Sequence, residues 1–318
     1  MALSLAESAK LSTTNLQRGV IETFVQESSI LDRIPLMPIE GNSYAYNEEA
    51  TLPGVAFRGV NEGYTESTGT VNQKSESLVI LGGDADVDRF IVKTRGNLND
   101  QRAVQTRMKV KAAAYKFQET FFNGDINTDA KSFDGLRKRL TGAQVISAGA
   151  DGAPIVGDGV NDSHAFFDKL DELVATVPGL TSANGAIYAN RKVISKIKSA
   201  ARRLGGYEMV NETLTGKWVP TYNGIPLLDP GMTAAGADIL PQTETQGTVK
   251  DASSIYAVRF GQTEDDQAVT GLTNGGVMVD DLGQLQEKPA YRTRIEFYCG
   301  LAVFGGKAAA RLNGVLAK

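Results

Sequence analysis

Residues 97–124 read NLNDQRAVQTRMKVKAAAYKFQETFFNG, with no proline or glycine before the closing Asn123-Gly124. So long a run of helix formers predicts one continuous helix. Asn99 or Asp100 can cap its start, and Asn123-Gly124 can end it in left-handed geometry. At ~1.5 Å per residue the helix is roughly 35 Å long, enough to cross a small domain. Val104, Met108, Ala112, Tyr115 and Phe122 recur at helical spacings and predict an apolar stripe. Ala103, Val110, Ala114, Phe117 and Phe121 widen it, while Arg102, Arg107, Lys109, Lys111 and Lys116 fall mostly outside it.

The chain before this helix reads as arms. Residues 1–40 form a polar arm in which Leu16, Val20, Ile21, Phe24 and Val25 share one side of a short helix. Pro35 and Pro38 then stiffen an extended segment. Residues 41–92 read as a long hairpin. Its outgoing strand carries Ser43–Tyr46 and Val55–Phe57, its returning strand Glu76–Leu81, and NEGYTESTGT (61–70) forms a Gly/Ser/Thr-rich tip. A two-stranded ribbon is marginal alone in water, so this one needs a surface to lie on, most economically a second copy of the chain. Asp84, Asp86 and Asp88 alternate in DADVD and share a face if the segment is a strand. Arg89 and Arg95 stand where a calcium loop needs Gly and Glu, and read as ion-pair partners for the aspartates.

The chain after the helix reads as compact α/β material. A helix follows the loop 148–158, capped by Asn161, Asp162 or Ser163, with Phe166, Phe167, Leu170, Leu173 and Val174 on its apolar side. Gly185–Ala189 is a strand and Arg191–Arg203 a basic helix with Val193, Ile194, Ile197 and Ala201 inward. Shorter strands follow at 217–219, 225–228, 254–258 and 276–279, then a long one in YRTRIEFYCGLAVF (291–304).

Catalytic constellations are hard to assemble from these residues. The sole histidine, His164, sits at a helix start, where an exposed surface side chain is the plain reading. The sole cysteine, Cys299, lies in an apolar strand without basic neighbours, and no intrachain disulfide can form. So few His and Cys residues leave no zinc set. GLAVFGGKA (300–308) departs from a phosphate-binding loop: Leu301 replaces the glycine six before Lys307, and Ala308 replaces the hydroxyl. No catalytic residue, cofactor site or metal site is assigned. The hydrophobic share of 42% supports a real core, and the net charge of −4 argues against binding nucleic acid through overall charge. The N-terminus lacks the apolar core of a secretory signal, and no apolar run approaches the ~20 residues of a membrane span.

The order of these pieces resembles the major capsid proteins of tailed bacteriophages, the Hong Kong 97-like fold. The resemblance runs through FFNGD and FDGL behind the long helix, AIYANRKVISKIKSAARR, WVPTYNGIPLLDPG and the closing YRTRIEFYCGLAVFGGKAAARLNGV. It implies an α+β capsid fold with an N-terminal arm (1–40), an extended β-hairpin loop (41–92) and a long spine helix in a peripheral domain (93–159). An axial α/β domain (160–285) and the C-terminal part of the peripheral domain (286–318) would complete it. It also implies hexamers and pentamers of the chain in an icosahedral shell around double-stranded DNA, assembled in the host bacterial cytoplasm and ending in the virion. A portal, and a separate scaffold or a decoration protein, would be further partners; no membrane is involved. Contacts between subunits would then fall to Leu16, Val20, Phe24, Tyr44, Tyr46, Phe57, Tyr64, Leu78 and Ile80. The cations Arg102, Arg107, Lys109, Lys111 and Lys116 would face DNA from the inner wall, or else form a solvated helix face. Lys74, the only lysine in 41–92, would be the donor in any covalent cross-link. The same fold could instead enclose enzyme cargo in an encapsulin-like compartment. An enzyme of unrecognised type is the remaining alternative.

Overall fold

The computed structural model describes residues 28–318 apart from 96–100, 158–159, 206–208 and 212–217. Leu16, Val20 and Phe24 therefore lie outside the described residues, as do the cap candidates Asn99 and Asp100. The strands are β1 (Leu36–Pro38), β2 (Ser43–Thr51), β3 (Thr70–Ser77), β4 (Val79–Asp88), β5 (Val145–Ser147), β6 (Ala153–Pro154), β7 (Gly185–Tyr188) and β8 (Met209–Asn211). They continue with β9 (Trp218–Tyr222), β10 (Ile225–Leu228), β11 (Glu244–Gln246), β12 (Val249–Arg259), β13 (Val269–Gln284), β14 (Ala290–Val303) and β15 (Ala309–Leu316). The helices are α1 (Arg89–Arg95), α2 (Gln101–Asn123), α3 (Leu136–Arg139), α4 (Val160–Thr176) and α5 (Arg191–Arg203).

Two sheets organise the chain. The first has the order β1-β13-β14-β4, with β1 parallel to β13 and the other pairs antiparallel. The second runs β5-β15-β12-β7-β10-β9-β8, with β11 beside β12 and β6 beside β15. Between β9 and β10 the chain turns in two residues. Asn223 and Gly224 both have positive φ, 50° and 75°, as that tight turn requires. Strand pairing divides the chain elsewhere than the sequence grouping did. β13 falls inside 160–285 yet belongs to the first sheet, and β15 falls inside 286–318 yet belongs to the second. Non-local pairing, which linear order does not display, sets these limits. β15 itself is not among the strands read from the sequence.

The spine helix α2 is real, but its buried arc differs from the expected one. Thr106, Val110, Ala114, Phe117 and Phe121 are buried, whereas Val104 and Met108 are exposed. Both arcs satisfy a 3.6-residue period, because the helix is apolar on two sides. At its C-terminal end Phe122 packs on Tyr188 and Tyr256, with ring centroids 5.5 and 5.1 Å away. One aromatic cluster thereby joins the helix to the second sheet, while Phe117 meets Phe297 of the first. Gly124 has no positive φ. It is needed for close approach instead: a Cβ there would run into the carbonyls of Phe133 and Thr120. Gly135 is its counterpart, donating its N–H to the Gly124 carbonyl at 2.9 Å.

On the opposite face of the second sheet, α4 and α5 share one apolar cluster with Ile187, Ile255, Ala257 and Leu312. Ser163 does not cap α4. It lies buried within the first turns and donates its Oγ hydrogen to the Ile155 carbonyl at 3.1 Å. α5 is capped by Asn190, whose side chain accepts from the Lys192 N–H, and buries Val193, Ile194, Ile197 and Ala200.

Candidate assembly surface

The predicted hairpin is a ribbon of β2 and β3, paired from Ser43–Ser77 out to Thr51–Thr70. Residues 52–69, including Val55–Phe57, carry no strand and form the long tip. The expected returning strand 76–81 straddles a handover. β3 ends at Ser77, Leu78 gives its N–H to the Asn42 carbonyl, and β4 continues into the first sheet beside β14. Gly82 permits this close pairing, since a Cβ there would strike the Ile295 carbonyl.

The base of the ribbon is fixed to its own body through Tyr44 and Tyr46, and the burial of Tyr46 corrects the contact between subunits expected of it. Tyr46 is buried, sets its ring edge-on to Phe304 at 4.8 Å and donates its hydroxyl to the Val303 carbonyl at 3.3 Å. Burial pushes that hydroxyl's pKa well above the phenol range. Tyr44 donates to Glu264 Oε2 at 3.0 Å, while the Asn47 N–H donates to Oε1 of the same carboxylate at 3.3 Å. Arg139, at the end of α3, grips Glu76 with both terminal nitrogens. Leu78 is half-buried against this cluster.

The distal part is different. Val55, Phe57, Val60 and Tyr64 stand in solvent, with Phe57 fully exposed, and Leu52 and Val71 join them. Ile80, Phe90, Ile91, Val104 and Met108 expose more apolar surface along β4, α1 and α2. So much uncovered apolar area on one subunit marks a surface that partners cover. Lys74 pairs with Glu48 at 2.6 Å.

The outer face of the first sheet is a charged lattice. Asp84 takes Arg294 in a two-pronged contact at 2.8 and 3.1 Å, and Asp86 takes Arg292 at 2.7 and 2.8 Å, with Lys288 also on Asp86. These are not the expected partners: Arg89 and Arg95 lie in α1, and Asp88 caps that helix by accepting the Phe90 N–H. The guanidinium bonds hold both carboxyls below the usual carboxylate range. Of the spine cations, Arg102 contacts Asp281 at 2.7 Å and lies over the Tyr291 ring; Lys116 pairs with Glu119 at 3.2 Å. Lys111 sits over Tyr115, Lys109 crosses Gly83 and Arg107 is exposed.

The remaining chemistry is sparse. His164 is exposed. Cys299 is buried, which pushes its thiol up to about 12. An apolar pocket of about 300 Å³ lies between α4, α5 and the β9–β10 turn, walled by Phe167, Ile197, Leu204, Tyr222 and Leu227. Lys198 is the one charged side chain in its lining. Among the described residues no cluster of His, Cys, Asp or Glu could hold a metal, and no helix is long and apolar enough to cross a membrane.

A family model for major capsid protein GP7 matches residues 13–159, a little under half of the chain. No curated protein matches the sequence. Solved structures match over almost its whole length. The holo-SrpI encapsulin complex from Synechococcus elongatus PCC 7942 aligns with a TM-score of 0.66 at 19% identity, covering 91% of this chain and 88% of that one. The capsid of a native GTA particle aligns at 0.64 and 15% identity, covering 91% and 90%. A Mycobacterium phage Bobi chain aligns at 0.58 and 14% identity, covering 90% and 89%. At such identities the likeness is one of fold. The chain has the Hong Kong 97-like α+β fold that its sequence resembles.

Proposed function

We propose that this protein is a structural major capsid protein, whose copies close into an icosahedral shell of hexamers and pentamers around double-stranded DNA. The observation that carries the reading is the ribbon. Its base is locked to the body by Tyr46, Glu264 and Arg139, while Val55, Phe57, Val60 and Tyr64 at its tip stand exposed among the described residues. A rigid arm with an apolar end is built to lie on another copy, and many weak contacts of that kind make a closed lattice cooperative. The β1-β13-β14-β4 sheet with α2 corresponds to a peripheral domain, and the second sheet with α4 and α5 to an axial one. The role is structural rather than catalytic, and the location is the virion.

Among the spine cations, Arg107 and Lys109 are the ones we assign to packaged DNA. Arg102 and Lys116 already neutralise carboxylates of their own subunit. Lys74, paired with Glu48, is the cross-link donor should the shell be cross-linked. Portal, scaffold and decoration proteins are further partners by analogy with capsids. A second reading, a cargo compartment, is favoured by one observation, the TM-score of 0.66 to an encapsulin.

Electron microscopy of the purified full-length protein tests the proposal. Uniform polyhedral particles are expected. The variant Val55→Ser/Phe57→Ser/Val60→Ser should lose them while unfolding at the wild-type denaturant midpoint. A monodisperse wild-type monomer would refute the shell, and protein cargo in place of nucleic acid would select the compartment.

A further inference from the structure

The basic helix α5 has one property that no contact among the described residues explains. Its thirteen residues carry six cations and no carboxylate, in a chain whose net charge is −4. At 3.6 residues per turn these cations form two rows. Arg191, Lys198 and Arg202 make one edge, and Lys192, Lys196 and Arg203 make the other. Ser195 and Ser199 lie between them. The inward side is apolar, so the charged arc faces away from the core, with Lys198 at its edge also lining the apolar pocket beside the helix. Among the described residues, Arg191 alone has an ion pair, with Asp229 at 3.2 Å. Arg202 and Arg203 also complement the negative end of the helix dipole, but Lys192 and Lys196 stand in its first half, where that field opposes them.

We infer that the outward face of α5 binds the phosphate backbone of double-stranded DNA. The face offers cations and short hydroxyls and no exposed apolar side chain. Protein interfaces have an apolar core ringed by polar groups, and this arc supplies none. Phosphates ask for what it does supply, without base recognition. A helix of thirteen residues is ~20 Å long, which spans on the order of ten duplex charges. The spine cations fit less well, because several are held by their own subunit. The inference draws on the shell reading only for the source of the DNA.

The test is binding of the full-length protein to a 30-base-pair duplex of arbitrary sequence across a salt series, with particles scored separately by electron microscopy. Three phosphate contacts contribute a slope of ~2.7 in log K against log salt. Lys192→Gln/Lys196→Gln/Arg203→Gln should therefore flatten the dependence by about that amount and weaken low-salt binding at least tenfold. Lys131→Gln/Lys250→Gln/Lys307→Gln, which removes equal charge elsewhere, should keep the wild-type slope. An unchanged slope in the α5 variant overturns the inference, as does an equal loss in the control. Lost particles with retained DNA binding in the α5 variant would make the face a contact between copies, which also overturns it. Wild-type protein that binds DNA through α5 but forms no particles would uphold the inference and sink the shell reading instead.

Discussion

Gly135→Ala is the sharpest test of how the spine helix is anchored. An ideal Cβ at Gly135 would sit 2.5 Å from the Thr120 carbonyl oxygen, 2.7 Å from the Gly124 nitrogen and 2.8 Å from the Phe122 carbonyl carbon. Ordinary contact begins near 3.4 Å, so two backbone segments must part by close to 1 Å. Neither can yield like a flexible side chain, because Phe122 and Phe133 on the same segments are fixed in the core. Overpacking of this kind costs ~1–3 kcal/mol. Parting also stretches the Gly135 N–H to Gly124 carbonyl bond, and leaving those groups unpaired adds ~1–3 kcal/mol. A loss of ~2–6 kcal/mol is expected, read as a shift of the denaturant midpoint of unassembled subunits at unchanged slope. Gly63→Ala is the control, since nothing lies within 4 Å of its Cβ position and the change should stay within ~0.5 kcal/mol. If the two variants unfold together, the clasp between FFNGD and FDGL has been misread.

Two further outcomes follow from the titrating groups. Asp84 and Asp86 have folded pKa values below the ordinary 3.8, so the native state binds their protons less readily than the unfolded chain. Their stabilisation is present above about pH 4 and is lost as pH falls through the folded values. Asp86→Asn should therefore flatten the acid limb of the subunit's unfolding midpoint below pH 4; an acid limb identical to wild type would refute the Arg292–Asp86 assignment. Cys299, with its thiol at about 12, should resist a disulfide reagent at pH 8 until denaturant is added. Rapid labelling of the native subunit would show that β14 is not buried there.

Local chemistry was legible in the sequence, and choices among equivalent faces were not. The spine helix, the β7–α5 unit and the ribbon follow from composition and period. The glycines of FFNGD and FDGL mark a real feature, although their reason is proximity between two backbones rather than left-handed geometry. The buried arc of α2 could not be chosen, because Val104 and Met108 keep the same period as Val110 and Phe117. Arg292 and Arg294 lie some two hundred residues from the aspartates they hold, whereas nearness in sequence points to Arg89 and Arg95. Tyr44 and Tyr46 look in sequence like the exposed residues of a ribbon. Their anchors, Glu264 and Phe304, come from distant loops. The two cation rows of α5 needed only helical spacing, and the structure added that Arg191 alone among them has an ion pair among the described residues.

The handover at Leu78 gives the ribbon a mechanical property. β3 runs on into β4, and β4 is matched to β14 at ten successive positions from Ala290–Asp88 to Cys299–Val79. Tension applied to the ribbon along its axis is therefore carried along β4, in line with the axis of its antiparallel neighbour. The ladder is loaded in shear, all rungs at once, instead of being peeled open one rung at a time. A wall pressed outward from within would stretch such joints along their strongest direction.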